Sequence, residues 1–124
     1  MFMIEDGVIY LTRGDYAELE VAITDSEGNA YEMVYGDTLT FSVRETPSDD
    51  STLQFSVTSQ TNRLIINNVD TAEMEPGQYS ADVQLTSIDG KRRTVWAYVP
   101  DQANRRGRTS NWKNFVLMPE VTTE

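Results

Sequence analysis

Alternation of apolar and polar residues governs most of this chain. Ala17, Leu19, Val21 and Ile23 alternate with Glu18, Glu20 and Ala22, and Leu39, Phe41 and Val43 alternate with Thr40, Ser42 and Arg44. Leu53, Phe55 and Val57 alternate with Gln54 and Ser56, and Tyr79, Ala81, Val83 and Leu85 alternate with Ser80, Asp82 and Gln84. Successive side chains on an extended strand point to opposite faces, so each run predicts a strand with one buried and one wet face. Shorter runs at 8–11, 64–66, 94–99 and 115–118 predict further strands, and Leu64, Ile66 and Trp96 join the expected interior.

Turn chemistry separates these runs. Arg13-Gly14-Asp15 spells an adhesion tripeptide, but it lies between two strand patterns, where Gly14 permits positive φ and Asp15 can cap a turn. Asp25-Ser26-Glu27-Gly28-Asn29 reads as a hairpin-like connection, and Gly36-Asp37 and Pro76-Gly77 each precede a strand. Asp89-Gly90 suits a two-residue type I′ hairpin turn. Only Asp70–Met74 could be helical, with Asp70 as N-cap, Glu73 three residues on, and Met74 as an apolar plug before Pro76-Gly77. Short strands at this spacing predict an all-β fold, an immunoglobulin-like antiparallel β-sandwich of about seven to nine strands. Two polar stretches lack periodicity: 45–51, and a longer basic loop at 100–111, inserted before the last strand.

Length and composition narrow the chemistry. The 124 residues suit a single domain spanning 1–124, and a chain of this size buries roughly 65% of its unfolded surface. Neither cysteine nor histidine is present. Disulfides, thiol catalysis, serine–histidine relays and imidazole metal sites are therefore excluded. Acid–base work would fall to carboxylates, Tyr or Lys with strongly shifted pKa values, so an enzyme is not expected. No metal and no cofactor are expected either. The acidic start Met1–Asp6 lacks the basic and apolar regions of a secretory signal, and no apolar run is long enough to span a membrane. The expected setting is the cytoplasm on synthesis, without membrane partners.

Charge is unevenly placed. The net charge is −10, yet residues 1–90 hold 17 acids against Arg13, Arg44 and Arg63. Residues 91–113 carry Lys91, Arg92, Arg93, Arg105, Arg106, Arg108 and Lys113 against Asp101 alone. This basic segment reads either as a loop neutralised by its own acidic body or as a contact surface for an acidic partner. Arg105, Arg106, Arg108, Trp112 and Tyr98 are the candidate partner-binding residues, because Trp, Tyr and Arg dominate interface hot spots. Trp112 could equally close one end of the sandwich. Nucleic acid is not an expected partner, since 17 acids nearby would repel phosphates and few cations offer only weak, salt-sensitive binding. Asp49, Asp50, Asp37 and Glu45 could in principle gather calcium, but solvated loop acids explain them more simply. Tyr79 sits where sandwich tyrosines bond back to the chain just upstream.

Two blocks resemble small proteins of the tail modules of phages and prophages of Gram-positive bacteria. The first runs Ile9-Tyr10-Leu11-Thr12-Arg13-Gly14-Asp15, Leu19–Thr24, Gly28-Asn29, Tyr31, and Gly36-Asp37-Thr38-Leu39-Thr40-Phe41-Ser42-Val43. The second runs Asp70-Thr71, Gly77–Thr86, Asp89-Gly90, Thr94, and Pro119-Glu120-Val121-Thr122. The resemblance is to the N-terminal, immunoglobulin-like domain of baseplate upper proteins. It implies a non-enzymatic structural or assembly module of a tail or baseplate, docked to other tail proteins or to copies of itself and carried in the virion. The alternative is a carbohydrate-binding or host-surface adhesin domain. Ser80 and Ala81 depart from the second aromatic of the family's "YxYD" stretch, and the 100–111 insertion is long.

Overall fold

A computed structural model describes residues 2–5, 7–25, 27–46, 52–96 and 113–120. Among them are nine strands and one helical turn. The strands are β1 (Phe2–Glu5), β2 (Val8–Thr12), β3 (Ala17–Glu20), β4 (Thr38–Arg44), β5 (Leu53–Ser59), β6 (Arg63–Ile66), β7 (Gly77–Thr86), β8 (Arg92–Trp96) and β9 (Phe115–Met118), with α1 at Asn68–Thr71. Seven strands form one sheet in the order β1-β2-β9-β7-β4-β5, with β8 also on β7, and β3 and β6 form the second. The molecule is an all-β sandwich, as the alternating runs predict. Its sheet is mixed rather than purely antiparallel, because β2 and β9 run parallel.

The interior follows the alternation. Leu39, Phe41 and Val43 of β4 and Ala81, Val83 and Leu85 of β7 are buried on the face that meets Leu19, Leu64 and Ile66 of the small sheet. Phe41, Phe55 and Phe115 form an aromatic triangle with ring centroids 6.0–6.1 Å apart. Tilted pairs at such distances add to the burial of their large rings. Ile9, Leu11, Phe115 and Leu117 extend this core along the parallel pair. Met74 is buried as the expected plug.

Several expectations need correction. β3 ends at Glu20, so Val21 and Ile23 lie beyond it; Ile23 is buried, whereas Val21 is only half-buried. Trp96 is also half-buried. Leu53 is 45% exposed because a bulge in β5 shifts the register between Val43 and Arg44, leaving Leu53 opposite Arg44. A slip of one residue transfers a side chain to the other face. α1 begins earlier than predicted: Asn67 is the N-cap, and Asp70 accepts its backbone N–H at 2.8 Å instead of capping the helix itself. β8 starts at Arg92, two residues before the predicted run. β1 was not signalled by the pattern, having formed through the Gly7 turn to β2.

The turn at Asp89-Gly90 differs as well. Gly90 takes φ +85° and donates to Ser87 O, while Ser87 N donates to Lys91 O. The loop thus holds three residues with glycine in the left-handed position, not the two of a type I′ turn. The Arg13-Gly14-Asp15 segment is the expected turn, with Gly14 at φ +82°. It is also a junction: Gly14 N donates to Thr71 Oγ1 at 2.8 Å and Asn68 Nδ2 donates to Gly14 O at 2.8 Å. Arg13 meets Glu120 at 3.2 Å and donates to Met74 O.

Candidate functional site

β7 divides into two halves with different partners on one side. Its first half, Gly77–Tyr79, pairs with β9, and its second half, Val83–Thr86, pairs with β8. A step of four positions along β7, from Val83 to Tyr79, is matched by a step of nineteen on the returning chain, from Trp96 to Phe115, so the register jumps by fifteen. This jump falls where the sequence places its basic insertion.

Asn114 secures the junction. Its side-chain Oδ1 accepts from Ala81 N at 2.7 Å and its Nδ2 donates to Ala81 O at 2.9 Å. The carboxamide thus replaces the backbone partner that Ala81 lacks in the broken ladder. The Asn114 backbone donates to Tyr79 O and accepts from Ile9 N. One 2%-exposed residue therefore joins β2, β9 and β7. Nothing in the sequence pattern singles it out, because an Asn before an apolar run looks like any loop residue. Tyr79 makes the expected corner by donating its phenol to Glu75 O.

The β8 half is open. β8 pairs with β7 and with no other strand among the described residues. Lys91, Arg92 and Arg93 are exposed in sequence at its start. Lys91 lies 3.7 Å from Asp89, whereas Arg92 and Arg93 make no ion pair among the described residues. Beside β8 runs a groove of about 620 Å³, walled by Ala22, Thr24, Asp25 and Tyr31 on one side and by Arg93 and Val95 on the other. The far wall is held in shape by its own turn. Asp25 Oδ1 accepts from Glu27 N and Asn29 N, both at 2.9 Å, and Tyr31 N donates to Ile23 O. These bonds engage one oxygen of the Asp25 carboxylate. A second, smaller groove of about 140 Å³ opens beside it over Ile9, Phe41, Val83 and Trp96.

The larger groove is lined by Asp25, Tyr31, Lys91 and Arg93, and the smaller one by Glu20. Asp37 is buried, accepting from Tyr31 Oη at 2.6 Å and Val34 N at 3.0 Å. The tyrosine bond, then the amide bond, hold its carboxyl below the ordinary range, and the same tyrosine bond, followed by burial and the carboxylate's charge, raises the Tyr31 phenol. Its role is to tie the 31–37 turn. Burial raises the Asp82 carboxyl on the outer face of β7, with Arg44 partly opposing. No group of three or more metal-ligating side chains occurs among the described residues. No helix among them is long and apolar enough to cross a membrane.

Tyr98, Arg105, Arg106, Arg108 and Trp112 lie outside the described residues, as do Asp49 and Asp50. Of the basic segment's cations, Lys91, Arg92 and Arg93 at the start of β8 and Lys113 before β9 lie among the described residues. Compared with known proteins, the chain matches no family model and no curated protein.

Proposed function

We propose that this protein is a non-enzymatic assembly module that works by docking, in the setting its resemblance implies, a phage or prophage tail or baseplate. The reading is supported by one observation above all. On a chain of net charge −10, Arg92 and Arg93 stand exposed and without an ion pair among the described residues, at the edge of an open sheet. Unpaired surface cations on an acidic body favour an acidic protein surface, since complementary charge steers encounter and sets register. The absence of histidine and cysteine from the sequence supports docking over catalysis. Arg105, Arg106 and Arg108 extend the basic run in sequence and belong to the same proposal.

The test is charge reversal at Arg92 and Arg93, with a second variant at Arg105 and Arg106. Sedimentation velocity is run on the protein alone and mixed with the products of neighbouring tail genes. Both variants are expected to lose association at physiological salt while their melting temperatures stay within about 2 °C of wild type, because these are surface substitutions. Identical sedimentation of wild type and both variants overturns the docking surface.

A further inference from the structure

The edge of β8 and the segment 21–25 both border the larger groove, and among the described residues some of their backbone groups have no backbone partner. Pairs in an antiparallel ladder alternate between those that exchange hydrogen bonds and those that do not. Ser87 N donates to Lys91 O, so Leu85 and Arg93 form the next exchanging pair, and Arg92 and Thr94 turn their N–H and C=O groups away from β7. The opposite wall follows the same rule. Val21 N donates to Asn62 O, Ile23 O accepts from Tyr31 N, and Asp25 N donates to Asn29 O. Ala22 and Thr24 therefore direct their groups to the other side, and no backbone bond to them occurs among the described residues. Open backbone groups are costly to leave unmet and are a ready template for a further strand.

We infer that this groove accepts one extended, acidic segment of a partner protein, added as a strand to the edge of β8. The inference rests on the docking reading above and names the partner's chemistry. Lys91 and Arg93 line the groove together with Asp25, whose Oδ1 accepts from Glu27 N and Asn29 N, and Arg92 projects from the opposite face of β8 because neighbours on a strand alternate. A strand with carboxylates at alternating positions meets a cation on either face. The same arginines repel a second β8, and the register shift at Val95 bends the edge, so indiscriminate pairing is discouraged. Backbone bonds supply affinity in this mode of recognition, and flanking side chains supply selectivity.

The probe is a short synthetic peptide alternating glutamate and valine. Its controls are a lysine–valine peptide and a glutamate–valine peptide N-methylated at alternate residues. Titration calorimetry at low salt is expected to show saturable binding of the first and none of the second. The N-methylated peptide is expected to bind about tenfold more weakly or worse, since it keeps the charges and loses ladder bonds. On the protein side, Thr94→Pro removes an N–H that faces away from β7, a position where proline is tolerated. It is expected to keep the fold and lose binding to a similar degree. Amide exchange at Arg92 and Thr94 is expected to slow when the acidic peptide is added.

Absence of binding by the acidic peptide overturns the inference. So does equal binding of the N-methylated peptide, whatever Thr94→Pro does to folding. Slow exchange at Arg92 and Thr94 before peptide is added also overturns it, because the edge would already be paired. If charge reversal at Arg92 and Arg93 abolishes partner association while Thr94→Pro and N-methylation change nothing, docking stands and strand addition falls.

Discussion

The two halves of β7 share one strand and one alternating sequence, yet they live in different surroundings. Around Gly77–Tyr79 the sheet is closed: β9 bridges to β2, Phe115 and Leu117 are buried, Tyr79 bonds back to Glu75, and Asn114 locks the junction. Around Val83–Thr86 the sheet is open: β8 is a shifted edge, Trp96 is half-buried, and two grooves adjoin it. β7 buries side chains in both halves; the difference lies in its partners, β9 with Phe115 and Leu117 buried and β8 with its charges exposed. A scaffold holds a binding edge steady when the stabilising contacts sit beside that edge and not in it.

This contrast can be broken most strongly through the core. Phe115→Ala removes one ring of the aromatic triangle and is expected to cost about 3–5 kcal/mol. Trp96→Ala, in the open half, should cost clearly less. Chemical denaturation measures both, and equal losses would erase the distinction between the halves. Next comes the junction. Asn114→Ala leaves the buried N–H and C=O of Ala81 without partners and is expected to cost about 3 kcal/mol. Amide exchange at Ala81 should rise in step, and wild-type stability in this variant would show that the carboxamide is dispensable.

The smallest effect concerns Asp82. Its carboxyl is raised by burial, so protonation favours the fold, and that advantage is lost as pH rises through the raised value. Asp82→Asn should therefore melt slightly higher than wild type at pH 7 and converge with it in acid. A variant that melts lower at neutral pH would mean that Arg44 outweighs the burial.

Much of the fold was legible in the amino-acid order. The runs at Leu39–Val43 and Tyr79–Leu85 carry a strict period of two over long stretches, and such strands lie mid-sheet where one face must be buried. The errors fell where a neighbour decides. Leu53 alternates correctly with Gln54 and Phe55, but a bulge opposite Arg44 turned it outward. Val21 continues the β3 pattern, but the small sheet ends at Glu20. Asp70 has the right chemistry for a cap, but Asn67 takes that position and Asp70 bonds back to it from the third helical residue. For the candidate site, charge counting located the basic segment, whereas the open edge of β8 and the groove beside it left no mark on the pattern.

Sequence alone determined that this chain is built of strands, that its interior is aliphatic and aromatic, and that it has neither imidazole nor thiol. Those properties follow from side-chain chemistry and a local period, which any stretch of chain expresses by itself. Tertiary structure alone decided that β2 and β9 run parallel, that Asn114 stands in for a backbone partner of Ala81, and that Arg92 and Thr94 turn backbone groups away from β7. Each of these depends on which distant segment comes to lie alongside, and register between segments far apart in sequence is set by the packing of the whole sandwich.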